Sequence, residues 1–212
     1  MKKNLSIRIS MMLVGNLMVG FAIALFRITN LGTDPFTTMN LGLSSFTKLS
    51  FGFYTLLVNL ILVLFALLFV RNQIGLGTII NMIGSGYIAD FFVYMYIYSF
   101  GSNLSLALKL VILVLAVFVI TLGFSIYLTS ELGVAPYDTI ALIIIKLSNN
   151  KIPFAAARVM TDLTCVIVGF SFGAVVGIST VITAFFTGPL VQFFKKRVYT
   201  MLIEKEQKQE VV

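Results

Sequence analysis

Histidine and tryptophan are absent from this 212-residue chain, cysteine occurs once, and charged side chains make up only 11% of it. Each shortage excludes something. Without histidine the chain lacks the commonest metal ligand and the commonest acid–base group near neutral pH, and it has no Cys/His cluster with zinc spacing. Neither a metal nor another cofactor is expected. The single Cys165 lies in an apolar run, so no internal disulfide forms and the redox compartment stays open. A soluble domain carries roughly 25% charged residues. At 11% charged, 59% hydrophobic and a mean hydropathy of +1.04, this chain reads as a single membrane domain over 1–212. No stretch outside the apolar runs is long enough to build a soluble core.

The formal net charge of +7 invites a nucleic-acid reading, but its distribution argues otherwise. The basic residues gather at the two ends, Lys2, Lys3 and Arg8 at one and Lys195, Lys196 and Arg197 at the other, flanking hydrophobic spans. That is the positive-inside bias, which sets orientation. The bilayer is the expected partner, nucleic acid is not, and oligomeric state is left open. The N-terminal apolar run is too long for a signal-peptide core and no small-residue cleavage site follows it, so it reads as a retained first span.

Six stretches are long enough to cross a bilayer, which takes roughly 20 mostly apolar helical residues. They run over about 9–28, 52–70, 77–99, 105–128, 154–173 and 175–194. With no water in the hydrocarbon, each must be helical to satisfy its own backbone. The run FFVYMYIYSF before the loop at 101–105 reads as an interfacial aromatic belt. The charged tail 195–212 reads as cytoplasmic and carries no assigned chemistry.

An internal repeat is the most informative feature. The phrase LGxxPxxT occurs twice: Leu31, Gly32, Pro35 and Thr38 align with Leu132, Gly133, Pro136 and Thr139. With about two residues of slippage Asn59 falls near Asp162, and 75–92 then lies over 177–194 without a gap. The halves are about 9–99 and 105–194. If each phrase crosses the membrane, each half has four crossings and the halves are parallel. If it dips in and returns, each half has three and their topology is inverted, a recurrent transporter architecture. Residues 33–48 hold Thr33, Asp34, Thr37, Thr38, Asn40, Ser44, Ser45, Thr47 and Lys48, too polar for a lipid-facing span. The unbroken apolar run in the second copy is only Ile140 to Ile145. Length and polarity therefore favour an all-α polytopic fold of about six transmembrane helices plus two short re-entrant helices, in an inverted repeat. Both termini fall on the cytoplasmic side whether the chain crosses six or eight times.

Within the two phrases, Gly32 and Gly133 permit turns closed to other residues, and Pro35 and Pro136 suit the first turn of a helix. Thr33 or Asp34 could cap the first helix; Val134 and Ala135 cannot cap the second. Two helix N-termini would then point into the interior, where an anion or polar group could dock. The plainer reading is two tight loops. Arg158 and Asp162 lie four apart on one helix face and can pair; charges within a span usually face a cavity or a partner. The plainer reading there is a structural ion pair, or snorkelling by Arg158. Arg27 and Asp90 are the other intramembrane charges, and six spans bring both toward the external side, where they could pair. Asp138 would reach the re-entrant tip or its mouth. Asn16, Asn59 and Asn81 more often glue helices than bind substrate. The glycine-rich stretches at 75–77, 84–86 and 169–173 read as close helix packing, without nucleotide-binding context.

LGTDPFTTMNLGLS, LGVAPYDTIALII, ARVMTDL and VVGISTVITAFFTGPLVQFF together resemble the YczE/YyaS/YitT-type family of bacterial integral membrane proteins. The matching positions are Gly32, Pro35, Gly42, Leu43 and Ser44; Arg158 and Asp162; and Gly177, Thr180, Gly188 and Pro189. The first copy departs from the pattern, with Phe36-Thr37 where an aromatic–acid pair is typical; Tyr137-Asp138 keeps it. The resemblance implies a bacterial cell membrane and a permease-like protein with no assigned substrate.

Three functions are weighed. The first is a small secondary transporter of an unknown solute or ion, with a midplane site at the two phrases and coupling or gating by Arg158 and Asp162. The second is a non-transporting ligand-binding, sensor or scaffold subunit, which predicts no through-going polar path. An intramembrane enzyme is the weakest, because a carboxylate pair such as Asp90 with Asp162 would have to do all the acid–base work; no enzymatic activity is expected.

Overall fold

The computed structural model describes residues 5–101 and 104–200, and every described regular element is helical. Lys2, Lys3, two residues of the loop at 101–105 and the tail from 201 onward lie outside the described residues. Six helices are long and apolar enough to cross a membrane: α1 (Leu5–Thr29), α3 (Phe51–Phe69), α4 (Leu76–Phe100), α5 (Leu106–Thr129), α7 (Phe154–Ser171) and α8 (Ile178–Tyr199). They coincide with the six expected spans to within a few residues, except that α8 continues five residues past 194, into what the sequence reads as tail.

Two further helices are short. α2 (Pro35–Thr47) and α6 (Pro136–Leu147) have 13 and 12 residues. At 1.5 Å per residue each is about 20 Å or less, against a hydrocarbon core of about 30 Å. Both begin at the proline the sequence marks. Asp34 caps α2, its Oδ1 accepting from the Thr37 N–H at 3.1 Å, whereas Ala135 at the head of α6 gives no side-chain cap.

The centre of the bundle is the α1–α5 pair, packed along its length and antiparallel. Met12 meets Tyr127, Gly15 meets Gly123, and Ala22 and Phe26 meet Ala116 and Ile120, so numbers rise on one helix as they fall on the other. The contact is backbone on backbone: a Cβ on Gly15 would lie 2.8 Å from the Gly123 carbonyl oxygen. Small residues let helices approach this closely, which is how dispersion replaces the hydrophobic drive that lipid cannot supply. α4 lies against α1 and α8 against α5, while α2 packs on α7 and α6 on α3. Gly42 of α2 meets Gly169 of α7 in the same close manner.

The two chain segments that lead into α2 and α6 dock on distant helix starts. Leu31 accepts from the Ser179 N–H at 3.1 Å, at the start of α8, and Leu132 accepts from the Gly77 N–H at 2.8 Å, at the start of α4. Gly32 (φ 94°) rests on Gly177, and Gly133 (φ 115°) on Gly75. A side chain there would be strained by φ and would also collide, since a Cβ on Gly32 would lie 2.7 Å from the Gly177 nitrogen. These glycines therefore fix where each short helix begins.

Candidate functional site

The N-terminal tips of α2 and α6 meet. Phe36 and Tyr137, each the second residue of its helix, stack with ring centroids 4.5 Å apart. The Tyr137 hydroxyl donates to Asp162 Oδ1 at 2.5 Å, halfway along α7. From this meeting point the short helices run to opposite ends of the bundle. α2 ends beside Phe172, at the end of α7, and α6 ends with Lys146 Nζ donating to the Phe69 carbonyl, at the end of α3. α3 starts where α1 ends, with Phe51 under the Arg27 guanidinium, so the two destinations lie at opposite ends of α3.

A cavity of about 70 Å³ opens at the meeting point. Its wall takes Asp34, Pro35, Phe36 and Thr37 from the head of α2, and Ala135, Tyr137 and Asp138 from the head of α6. Asn59 of α3, Asn81 and Ser85 of α4, Arg158 and Asp162 of α7, and Thr183 and Thr187 of α8 complete its polar lining, with apolar contributions from α1 and α5. One cation dominates. The Arg158 guanidinium is ion-paired with Asp138 of α6 and, through Nε at 3.2 Å, with Asp162 one turn along its own helix. Its carbon also lies 4.4 Å from the centre of the Tyr137 ring. The planar guanidinium can hold two carboxylates and an aromatic face together in a way an ammonium cannot.

Asp34 is bound differently. Its Oδ1 is committed to the cap of α2, while Oδ2 is buried with no hydrogen-bond partner among the described residues. Asn59 is 1% exposed and its side-chain oxygen is likewise unpartnered, as is the Thr187 hydroxyl. Buried polar atoms without partners are uncommon and costly. Of the seven such atoms among the described residues, three belong to residues that line this one cavity.

Of the residues singled out from sequence, Asp34, Pro35, Asn59, Asp138, Arg158 and Asp162 line this cavity. Gly32, Gly133 and Pro136 shape the backbone that leads to it. Thr38 and Thr139 are turned to the backbone: Thr38 Oγ1 donates to the Asp34 carbonyl at 2.9 Å, and Thr139 Oγ1 to the Pro136 carbonyl. Arg27 and Asp90 do pair, at 2.7 Å, but away from the cavity lining; Asp90 Oδ2 also accepts from the Gly52 N–H at 2.7 Å, tying α4 to the start of α3. Asn16 and Asn81 act as the expected glue, with Asn81 Nδ2 donating to Asn16 Oδ1 at 2.6 Å between α4 and α1.

Ser85, Thr183 and Thr187 were not singled out, and Phe36, Thr37 and Tyr137 were noted as motif positions without a site role. A signal existed for most of them. The alignment of 75–92 with 177–194 pairs Asn81 with Thr183 and Ser85 with Thr187, and the phrase alignment pairs Phe36 with Tyr137. These three aligned pairs line the cavity, whereas the aligned Thr38 and Thr139 do not.

Comparison with known proteins finds relatives but no activity. A family model described as a family of unknown function (DUF6198) matches residues 6–196. The uncharacterised membrane protein YczE of Bacillus subtilis is 24% identical over 194 residues, covering 91% of this chain and 87% of its own length. The uncharacterised protein YyaS of the same organism is 27% identical over 195 residues, 92% of this chain and 96% of its own length. An uncharacterised protein of Haemophilus influenzae is 26% identical over 186 residues, 88% and 82% of the two chains. No solved structure gives a significant match.

Proposed function

The chain belongs to this family of unknown function (DUF6198), and since membership brings no activity with it, we propose from the geometry that the protein is a small secondary transporter. The observation that carries the reading is the cavity at the meeting of two short helix tips, lined from both halves of the chain and holding charged side chains midway along the bundle. Substrate sites near the midplane, built by broken helices at a repeat interface, are the recurring transporter arrangement.

Several features support an inverted repeat around that site. α1 packs antiparallel on α5, which opposite orientation of the two halves requires and parallel eight-crossing halves would not allow. The docking bonds of Leu31 on α8 and Leu132 on α4 are reciprocal. Asn30 (φ 54°) and Glu131 (φ 52°) end α1 and α5 in the same left-handed turn. α2 and α6 are then re-entrant, each entering from one face and returning to it, with their positive ends inward. The basic residues at the N-terminal end and at the end of α8 support an orientation with both termini on the cytoplasmic side of a bacterial cell membrane. Arg158 is the gating group in this scheme: its bonds to Asp138 and Asp162 clamp α6 to α7, and substrate entry loosens that clamp. No bond to substrate is made or broken, so the protein is not an enzyme.

The test is flux. Protein reconstituted in vesicles is screened for solute-dependent uptake, wild type beside Asp162→Asn. Saturable uptake lost in the variant supports the reading. If no solute moves and none raises the melting temperature, the protein is a non-transporting membrane component.

A further inference from the structure

Charge around the cavity is unbalanced. Asp34, Asp138 and Asp162 bring three carboxylates against the single guanidinium of Arg158. The two helix N-termini contribute about half a positive charge each, which leaves roughly one negative charge in a partly enclosed space between the helices. The positive end that sequence alone offers to an anion is already occupied, because the Asp34 carboxylate caps α2 and Asp138 stands in the first turn of α6. An anion entering here would meet these two carboxylates first.

The unpartnered atoms point the same way. Asp34 Oδ2, the Asn59 side-chain oxygen and the Thr187 hydroxyl are oxygens, on three different elements, without hydrogen-bond partners among the described residues. All three residues line the cavity, and Asn59 is 99% buried by its 1% exposure. Oxygens of this kind are the ligands of a hard monovalent cation and the acceptors of an ammonium group, which has donors only. At about 70 Å³ the cavity suits a small occupant.

We propose that the cavity binds one small monovalent cation, with Asp34 Oδ2 as its counter-charge and the Asn59 and Thr187 oxygens as neutral ligands. Arg158 does not coordinate it; it holds Asp138 and Asp162 so that one carboxylate, Asp34, remains uncompensated. This rests on the transporter reading for its context, and names the class of ion that the same site carries or couples to. A metal ion, a protonated amine and a proton share the required chemistry.

The experiment uses the full-length protein in detergent at constant ionic strength, choline chloride being exchanged stepwise for sodium, potassium, ammonium or methylammonium chloride. A saturable rise in melting temperature of about 4 °C or more is expected for at least one of them, and none for Asp34→Asn, which keeps the cap and removes the charge. Thr187→Val, nearly the same shape, should weaken the apparent affinity by roughly tenfold, and it keeps the test sharp if the first variant folds poorly. If no salt acts, potentiometric titration decides: wild type taking up one more proton than Asp34→Asn near neutral pH identifies the proton as the cation. Stabilisation by sulfate or phosphate that is lost in Arg158→Gln would overturn the cation assignment and leave the transporter reading standing. Cation-dependent stabilisation without any vesicle flux would keep the site and remove the transporter reading. No response to cations, protons or anions sinks the proposal.

Discussion

Phe36 and Tyr137 stack with 4.5 Å between ring centroids and 22° between ring planes, joining the tips of α2 and α6 across the centre of the bundle. The pair is asymmetric in one respect: Tyr137 carries a hydroxyl, and that hydroxyl holds Asp162. Tyr137→Phe keeps the stack and removes one buried hydrogen bond, so a loss of about 1 kcal/mol is expected. The useful measurement is the difference between thermal unfolding, shifted by a few degrees, and vesicle uptake, which should fall much further because Asp162 loses its orientation.

Arg158 tolerates less. Arg158→Lys keeps the charge but cannot reach Asp138 and Asp162 with one planar fork. Uptake should drop tenfold or more while stability changes by about 1 kcal/mol. Arg158→Ala leaves two carboxylates unpaired and should cost roughly 1–3 kcal/mol, part of which a companion Asp138→Asn returns. A double-mutant cycle on the melting temperature reads that coupling directly.

The other ion pair should behave in the opposite way. Arg27 and Asp90 lie 2.7 Å apart outside the cavity lining, with Asp90 also accepting from the Gly52 backbone. Asp90→Ala removes both bonds and should destabilise by about 2–3 kcal/mol. Uptake per folded molecule should be unchanged; a specific loss of uptake would return this pair to the site.

Gly32→Ala and Gly133→Ala should be similar in cost, about 2 kcal/mol or more, since each combines a positive φ with a collision against the docking glycine of another helix. Gly188→Ala is the control. Nothing lies within 4 Å of a Cβ added there, and the residue is helical, so this change should be neutral or slightly stabilising. Equal losses at Gly32 and Gly133 would argue for equivalent halves; a large inequality would argue against them.

Orientation has its own measurement. In a Cys165→Ala background, single cysteines replacing Lys48 and Arg71, both exposed, are treated in intact cells with an impermeant thiol reagent. Labelling is expected at 48 and not at 71. Labelling at 71 but not at 48 would sink the six-crossing inverted arrangement.

Much of this architecture was legible in the chain. The six spans follow from run length and hydropathy, and both prolines fall at the first residue of the short helices because a missing N–H is harmless there. The Arg158–Asp162 pair follows from helical spacing alone. Asp34 reads from sequence as a possible cap of α2, and it is one, but its second carboxylate oxygen, buried without a partner among the described residues, is a product of packing. Comparing the halves finds what they share, and a charge that breaks the symmetry is invisible to that comparison. Asn16 and Asn81 bond to each other as helix glue, while the Asn59 side-chain oxygen has no partner among the described residues, a difference that sequence position alone does not show.

By itself the sequence determined the solvent, the six runs long and apolar enough to cross a bilayer, and the starts of the short helices. Those depend on hydropathy, run length and backbone stereochemistry, which are local. Which charges meet was decided by the tertiary structure. Arg158 finds Asp138 from α6 as well as Asp162 from its own helix, and Asp34 Oδ2 has no hydrogen-bond partner among the described residues, because antiparallel packing of α1 on α5 brings two helix tips a hundred residues apart to one point. Electrostatic energy depends on distance and burial, and neither is written in the order of the residues.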